Sequence, residues 1–258
     1  MDLGLADAGV LVTGASGGIG GATAWAFAGE GARVAVHYHR NEAAASSLAS
    51  AIGGATVQAD LRDEAAANAL VPAAVEALGR PIDVCVANAG VWPREPVNVV
   101  DLPLARWRAT LEANLTATFL TSRAYLRHVR ETGTGALVLV SSTAAVFGEA
   151  GHADYAAAKA AMHTGLLLSL KNEVAALGDG VRVNAVAPGW TVSPMTAADL
   201  DEDAVERVTA TMPLRKVATP EEVATAVVWL ASSAASHVTG QTVTVAGGME
   251  GRLLNPPR

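Results

Sequence analysis

The chain carries a single cysteine, Cys85, among 258 residues. That scarcity excludes a disulfide framework and a cysteine-ligated metal site. Cys85 lies inside the apolar run 82–87, where a thiol packs as a small buried hydrophobe. Positive charge is also short: 18 Lys and Arg stand against 25 Asp and Glu, for a net charge of −7. Nucleic acid and anionic membranes both demand a basic face, so neither is an expected partner. No apolar run is long enough to span a bilayer. Residues 1–7 have no basic n-region and no signal-length apolar stretch. The expectation is a soluble, cytoplasmic protein in a reducing compartment. Only 17% of residues are charged whereas 51% are hydrophobic, which rules out disorder. The length is ample for one domain with a sizeable core.

Short β-branched runs alternate with longer Ala-rich stretches. The pattern predicts strands at 10–13, 33–38, 55–59, 82–87, 136–141, 181–186 and 242–245. It predicts helices over 19–30, 42–52, 64–78, 104–130, 155–177 and 220–231. Strands apolar on both faces suit a parallel sheet covered on each side by helices. Strict alternation then gives right-handed crossovers. The predicted fold is a single α/β domain over 1–258, a doubly wound Rossmann-type sheet of seven mostly parallel strands with helices on both faces. The stretch 190–215, with Pro194, Pro213 and the acidic segment 199–203, breaks the rhythm. A long excursion from the C-terminal end of a strand is where a substrate lid sits.

Thr13-Gly14-Ala15-Ser16-Gly17-Gly18-Ile19-Gly20 follows the first strand and opens the first helix. A pyrophosphate needs backbone N–H donors at a helix N-terminus and no Cβ in the way. Gly14, Gly18 and Gly20 supply that clearance and Ser16 adds a hydroxyl. The second strand ends in Val36-His37-Tyr38-His39-Arg40 with no acid to accept from a ribose 2′-OH. Tyr38 takes that place. Arg40 can pair with a 2′-phosphate, with His39 beside it, which favours NADP(H) over NAD(H). His37 and His39 share a strand face, but no third ligand accompanies them and no metal is expected.

Tyr155-Ala-Ala-Ala-Lys159 places a phenol and an ammonium one helical turn apart on one face. Tyrosines and lysines number three each, so the pairing is not a by-product of abundance. A free phenol, with a pKa of about 10, exchanges protons poorly at neutral pH. A nearby ammonium favours the phenolate, and the pair becomes a candidate acid for ketone reduction or base for alcohol oxidation. Ser142, with Ser141 and Thr143 as neighbouring alternatives, closes the fifth strand and can donate to a substrate oxygen as negative charge grows there.

With these motifs, Asp60-Leu61, Asn88-Ala89-Gly90, Asn114 and Pro188-Gly189 added, the chain resembles the short-chain dehydrogenase/reductase family over almost its whole length. The resemblance implies that Asn114, Ser142, Tyr155 and Lys159 are catalytic. It implies that Asn114 holds a water relaying protons to Lys159, and that Ser142, not its neighbours, is the serine. Asp60 and Leu61 would contact adenine; Asn88, Ala89 and Gly90 would line the adenosine ribose. Tyr155 and Lys159 would bind the nicotinamide ribose, and Pro188, Gly189, Thr191 and Ser193 would seat the carboxamide. Gly17 stands where many NADPH-using relatives carry a basic residue, which puts more weight on Arg40. The ending Gly240-Gln241-Thr242 with Gly247-Gly248-Met249 resembles the bacterial 3-oxoacyl-[acyl-carrier-protein] reductase branch and implies a homotetramer. The implied partner is a small carbonyl compound or alcohol, acyl thioesters included. Trp92, Ala144, Ala145, Phe147, His152, Trp190 and Met195 fall where a substrate pocket would open. Arg123, Arg127 and Arg130 share a helix that offers either a docking patch for an acidic carrier or a solvated face. A catalytically silent nucleotide sensor on the same fold would have little use for the four polar residues. A methyltransferase would have none for the Tyr–Lys pair.

Overall fold

A computed structural model describes residues 2–197, 200–210 and 212–249. Asp199 of the acidic segment and residues 250–258 lie outside the described residues. Seven strands form one sheet: β1 (Gly9–Val12), β2 (Arg33–Tyr38), β3 (Ala55–Gln58), β4 (Val84–Ala87), β5 (Ala136–Val140), β6 (Arg182–Pro188) and β7 (Thr242–Val245). Their order is β3-β2-β1-β4-β5-β6-β7, and every pairing is parallel.

Alternation along each strand divides the apolar side chains between two cores. Leu11, Cys85, Leu137, Leu139 and Val183 face one side, and Val10, Val12, Val36, Val86 and Val138 face the other. The first side is covered by α3 (Glu64–Leu78), α5 (Ala117–Thr132) and α8 (Leu167–Glu173), through Leu70, Tyr125 and Leu167. The second is covered by α1 (Gly18–Gly29), α2 (Glu42–Ile52) and α10 (Pro220–Ala231), through Phe27, Ala45 and Val227. Cys85 is fully buried, and burial alone pushes its thiol well above the ordinary range.

Sequence signals set the helix starts. Asn41, Asp63 and Asp201 accept from backbone N–H groups of α2, α3 and α9 (Glu202–Thr209). Thr219 and Glu222 form a reciprocal capping box ahead of α10, with Pro220 in its first turn. Helix α1 differs: Gly17 at its N-cap makes no side-chain bond, and its first turn holds no acid. Its leading N–H groups therefore have no intrahelical or side-chain partner.

The stretch predicted as one helix over 104–130 is α4 (Leu104–Leu111), a π-helical turn (Glu112–Thr116) and α5. The stretch 155–177 is α7 (Ala153–Ala160), a second π segment (Ala161–Leu166), α8 and a short 3-10 turn. A π turn inserts one residue without changing the apolar pattern much, so periodicity does not reveal it. Two further helices, α6 (Ala144–Phe147) and α9, also escape the sequence reading. The first is a single turn; the second lies within the excursion 190–215.

Candidate active site

The strand order reverses direction between β1 and β4, and the crevice beyond their C-terminal ends is the expected ligand site of such a sheet. A cavity of about 540 Å³ opens there. At one end it is lined by Gly14, Ser16, Gly17, Gly18, Ile19 and Gly20. Gly14 has φ +64, and a Cβ on it would lie 2.9 Å from Ala89 Cα; one on Gly20 would lie 2.4 Å from Gly14 O. Only glycine fits either position, which leaves the turn open to a phosphate-sized anion at the uncapped start of α1.

Two buried side chains brace this turn. Thr13 Oγ1 accepts from the N–H groups of Asn88 and Ala89 at 2.9 and 3.0 Å, while Asn88 Nδ2 donates to Thr13 O at 2.9 Å. His37 Nδ1 accepts from the Gly14 N–H at 3.0 Å. Its Nε2 lies 3.1 Å from Ala59 O, so the ring proton sits on Nε2 and points at that carbonyl. Burial lowers the His37 pKa to about 4, which keeps the ring neutral. Sequence reading had named His37 only to set it aside as a metal ligand; its role as a prop becomes visible once β2 is aligned beside β1.

At the other end stand Asn114, Ser142, Tyr155 and Lys159. Ser142 follows β5 and interacts with the Tyr155 phenol, its Oγ accepting from the Ala144 N–H at 3.2 Å, while Ser141 Oγ donates to Lys159 O at 3.1 Å. Ser141, Ser142 and Thr143 all line the cavity. Lys159 Nζ donates to Val140 O at 2.9 Å and lies 5.7 Å from the Tyr155 ring centroid. Burial pulls the lysine down to about 8. Burial also pushes the Tyr155 phenol up to about 12, against the hydrogen bond from Ser142. Desolvation penalises the phenolate and outweighs the pull of Ser142 toward ionisation. The phenol holds its proton at neutral pH.

Asn114 sits in the π turn, fully buried. Its Nδ2 donates to Val91 O and Thr110 O, both at 3.0 Å, and its Oδ1 accepts from the Val91 N–H at 3.2 Å. Every polar atom of that side chain ties the loop after β4 to the helix. Gly90 passes between: a Cβ there would lie 2.6 Å from Asn114 Oδ1 and 3.5 Å from Lys159 Nζ.

Asn88, Ala89, Gly90, Pro188, Gly189, Thr191 and Ser193 all line the cavity, as do Trp92, Ala144, Trp190 and Met195. Ala145, Phe147 and His152 are not among its lining residues. Arg40, Asp60 and Leu61 lie outside it. Arg40 is exposed after β2. Asp60 is held by Arg62 through Nε at 2.9 Å and NH2 at 2.6 Å, with His39 at 3.6 Å, and the Arg62 contact drives its pKa far down. Leu61 is 5% exposed and packs in the core. Sequence reading missed three residues. Arg62 bears on Asp60. Thr196 bonds Thr191 O at 2.6 Å and Ser193 at 3.1 Å, shaping the turn over Gly18. Glu149 lines the cavity. The supposed arginine patch is largely spent: Arg123 pairs with Glu64 at 2.6 Å and Arg127 donates to Asn68 at 2.9 Å, both on α3.

Comparison with known proteins fits this arrangement. Residues 14–250 match the family profile described as enoyl-(acyl carrier protein) reductase. A cis-4-hydroxycyclohexanecarboxylate dehydrogenase of Sinomonas cyclohexanicum is 39% identical, covering 92% of this chain and 94% of that protein. A 3-oxoacyl-[acyl-carrier-protein] reductase of Synechocystis is 37% identical over 93% of this chain and 95% of the relative. The solved structure of a 7α-hydroxysteroid dehydrogenase, complexed with NADH and 7-oxoglycochenodeoxycholic acid, superposes with a TM-score of 0.85. It is 30% identical and covers 95% of each chain. The chain belongs to the short-chain dehydrogenase/reductase family. It is an oxidoreductase acting on CH–OH groups, on a fold that binds a nicotinamide cofactor. No helix among the described residues is long and apolar enough to cross a membrane.

Proposed function

We propose that the chain interconverts a ketone and a secondary alcohol with NADP(H), using Tyr155 as the proton donor and acceptor. One observation carries this reading: the Tyr155–Ser142–Lys159 group and the glycine turn line a single cavity. The bare α1 N-terminus and the turn at Gly14 and Gly20 suit a pyrophosphate, and Gly90, Pro188, Gly189, Thr191 and Ser193 suit the rest of a dinucleotide. When bound, that cofactor supplies or accepts a hydride at the carbonyl carbon.

The protein's own groups handle the oxygen. Ser142 donates a hydrogen bond to it, and Tyr155 gives its proton as the carbonyl becomes an alcohol. A phenol pushed up to about 12 is loaded for reduction. For oxidation the proton must leave Tyr155 first, so that direction gains with rising pH. Lys159 remains mostly an ammonium at pH 7 and favours the phenolate when it forms. Asn114 is a positioning residue, since its side chain is fully engaged with Val91 and Thr110.

The absence of an acid at the end of β2 and the exposed Arg40 support the 2′-phosphate. The same reading takes 1–258 as one domain, with 190–215 as the substrate lid. The reading also takes the protein as a cytoplasmic homotetramer, and Phe119 on α5 and Leu168 on α8 are exposed apolar side chains that a subunit interface would cover. The test is a panel of ketones with NADPH deuterated at nicotinamide C4 and, in parallel, deuterated NADH. The reading expects deuterium on the carbinol carbon, faster with NADPH. Unlabelled product, or none with any ketone, overturns it.

A further inference from the structure

Glu149 is an acidic side chain in the cavity wall that the proton chemistry leaves unused. It follows Gly148, just beyond α6. Its side chain is 26% exposed. Oε1 accepts from Trp92 Nε1 at 3.1 Å and lies 3.3 Å from His152 Nδ1. His152 is buried and stacks on the Trp92 ring, with centroids 4.8 Å apart and planes 23° apart. Its Nε2 is anchored on Pro93 O at 2.8 Å. The loop is pinned again where Val97 N–H donates to Gly151 O at 2.8 Å. Glu149 is therefore held by the Trp92 indole, with the buried His152 ring beside it. Oε2 makes no hydrogen bond with the described residues.

The surroundings define what Oε2 can meet. Trp190 packs edge-on to Trp92, with centroids 5.9 Å apart, so two indoles share the wall with the carboxylate. Glu149 and Tyr155 line the same cavity, and the Glu149 charge opposes phenolate formation at Tyr155. Among the described residues, Lys159 is the only cation lining the cavity, and it is tied to Val140 O beside Tyr155. A substrate carboxylate near Glu149 would meet a like charge, and the basic group beside it, His152, already faces Glu149 Oε1. An indole face accepts the C–H face of a ring, and a carboxylate oxygen accepts a hydroxyl. Burial also holds the Glu149 carboxyl above its ordinary range, which makes it a stronger acceptor for a hydroxyl.

Resting on the reading of Tyr155 above, we propose that Glu149 determines substrate specificity. It selects a neutral ring bearing a hydroxyl beside the reacting carbon, such as a cyclic polyol or aldose, and rejects one bearing a carboxylate there. The test compares the native protein with Glu149→Gln, which keeps an acceptor for Trp92 Nε1 and removes the charge. Four ring alcohols serve as probes: cyclohexanol, cyclohexane-1,2-diol, 2-aminocyclohexanol and 2-hydroxycyclohexanecarboxylate, each with NADP+ and NAD+. The native protein should favour the diol over the carboxylate at least a hundredfold in kcat/KM, and over cyclohexanol at least tenfold. In Glu149→Gln the diol-to-carboxylate ratio should fall at least tenfold, chiefly through KM. Ratios cancel any general loss from the substitution. Quenching of tryptophan fluorescence reads binding of the same four probes without turnover. Unchanged ratios, a native preference for the carboxylate or the amine, or no binding of the diol overturns the proposal. Diol binding in the predicted order with no turnover by either dinucleotide leaves Glu149 standing and overturns the function proposed above.

Discussion

Replacing His37 by Asn isolates the prop beneath the glycine turn. Asn retains an acceptor near the Gly14 N–H but loses the donor to Ala59 O. A buried hydrogen bond lost this way costs about 1–3 kcal/mol at neutral pH. The pH dependence is more diagnostic. His37 has a native pKa of about 4 against an ordinary 6.5, so the unfolded chain takes up a proton that the native one refuses. The stability this confers is present above pH 6.5 and drains away as pH falls towards 4. At 1.36 kcal/mol per unit the whole effect is about 3 kcal/mol, with about 2 kcal/mol gone by pH 5. His37→Asn lacks this component. Urea unfolding of both proteins at pH 7.5, 6 and 5 should show the native advantage shrinking by about 2 kcal/mol. Two curves that stay parallel across that range would refute the buried neutral imidazole.

Other outcomes follow from the same geometry. A Cβ at Gly17 meets nothing within 4 Å and its extended backbone suits any residue, so Gly17→Arg should fold normally. That variant should tighten NADPH by about tenfold, worth about 1.4 kcal/mol, whereas Arg40→Asp should turn preference towards NADH; fluorescence titration reads both. Gly90→Ala forces a methyl to within 2.6 Å of Asn114 Oδ1 and should lower kcat at least about tenfold. Native kcat in that variant would show the loop has slack. Asp154 is buried against Arg106 Nε at 3.1 Å and Thr110 at 2.8 Å. Breaking that pair with Asp154→Ala should cost about 3–5 kcal/mol in chemical denaturation, and a loss under about 1 kcal/mol would mean Arg106 finds other partners.

Strand identity was legible because the central runs β1, β4 and β5 are apolar on both faces, and turn chemistry was legible because Gly14 and Gly20 have no alternative. The Tyr155–Lys159 spacing places both groups on one helix face without further information. Contacts between distant segments were not legible. His37 reaches Gly14 across the β1–β2 pairing, and Glu149 reaches Trp92 across 57 residues. The π turn at Asn114 leaves the hydrophobic period nearly intact, so its effect on side-chain direction shows only in three dimensions. The protonation of Tyr155 has a related cause: spacing reveals the nearby cation but not the burial that raises the phenol.

Transient kinetics of Tyr155→Phe, with NADPH deuterated at C4 and a ketone the native protein reduces, probes the proton donor most directly. The account predicts that NADPH still binds the variant, weakened by about tenfold at most through loss of one ribose hydrogen bond. It predicts hydride transfer slowed by about 10²–10⁴ and an undiminished primary isotope effect. Transfer within a few fold of the native rate would contradict it, because the proton would then come from another group.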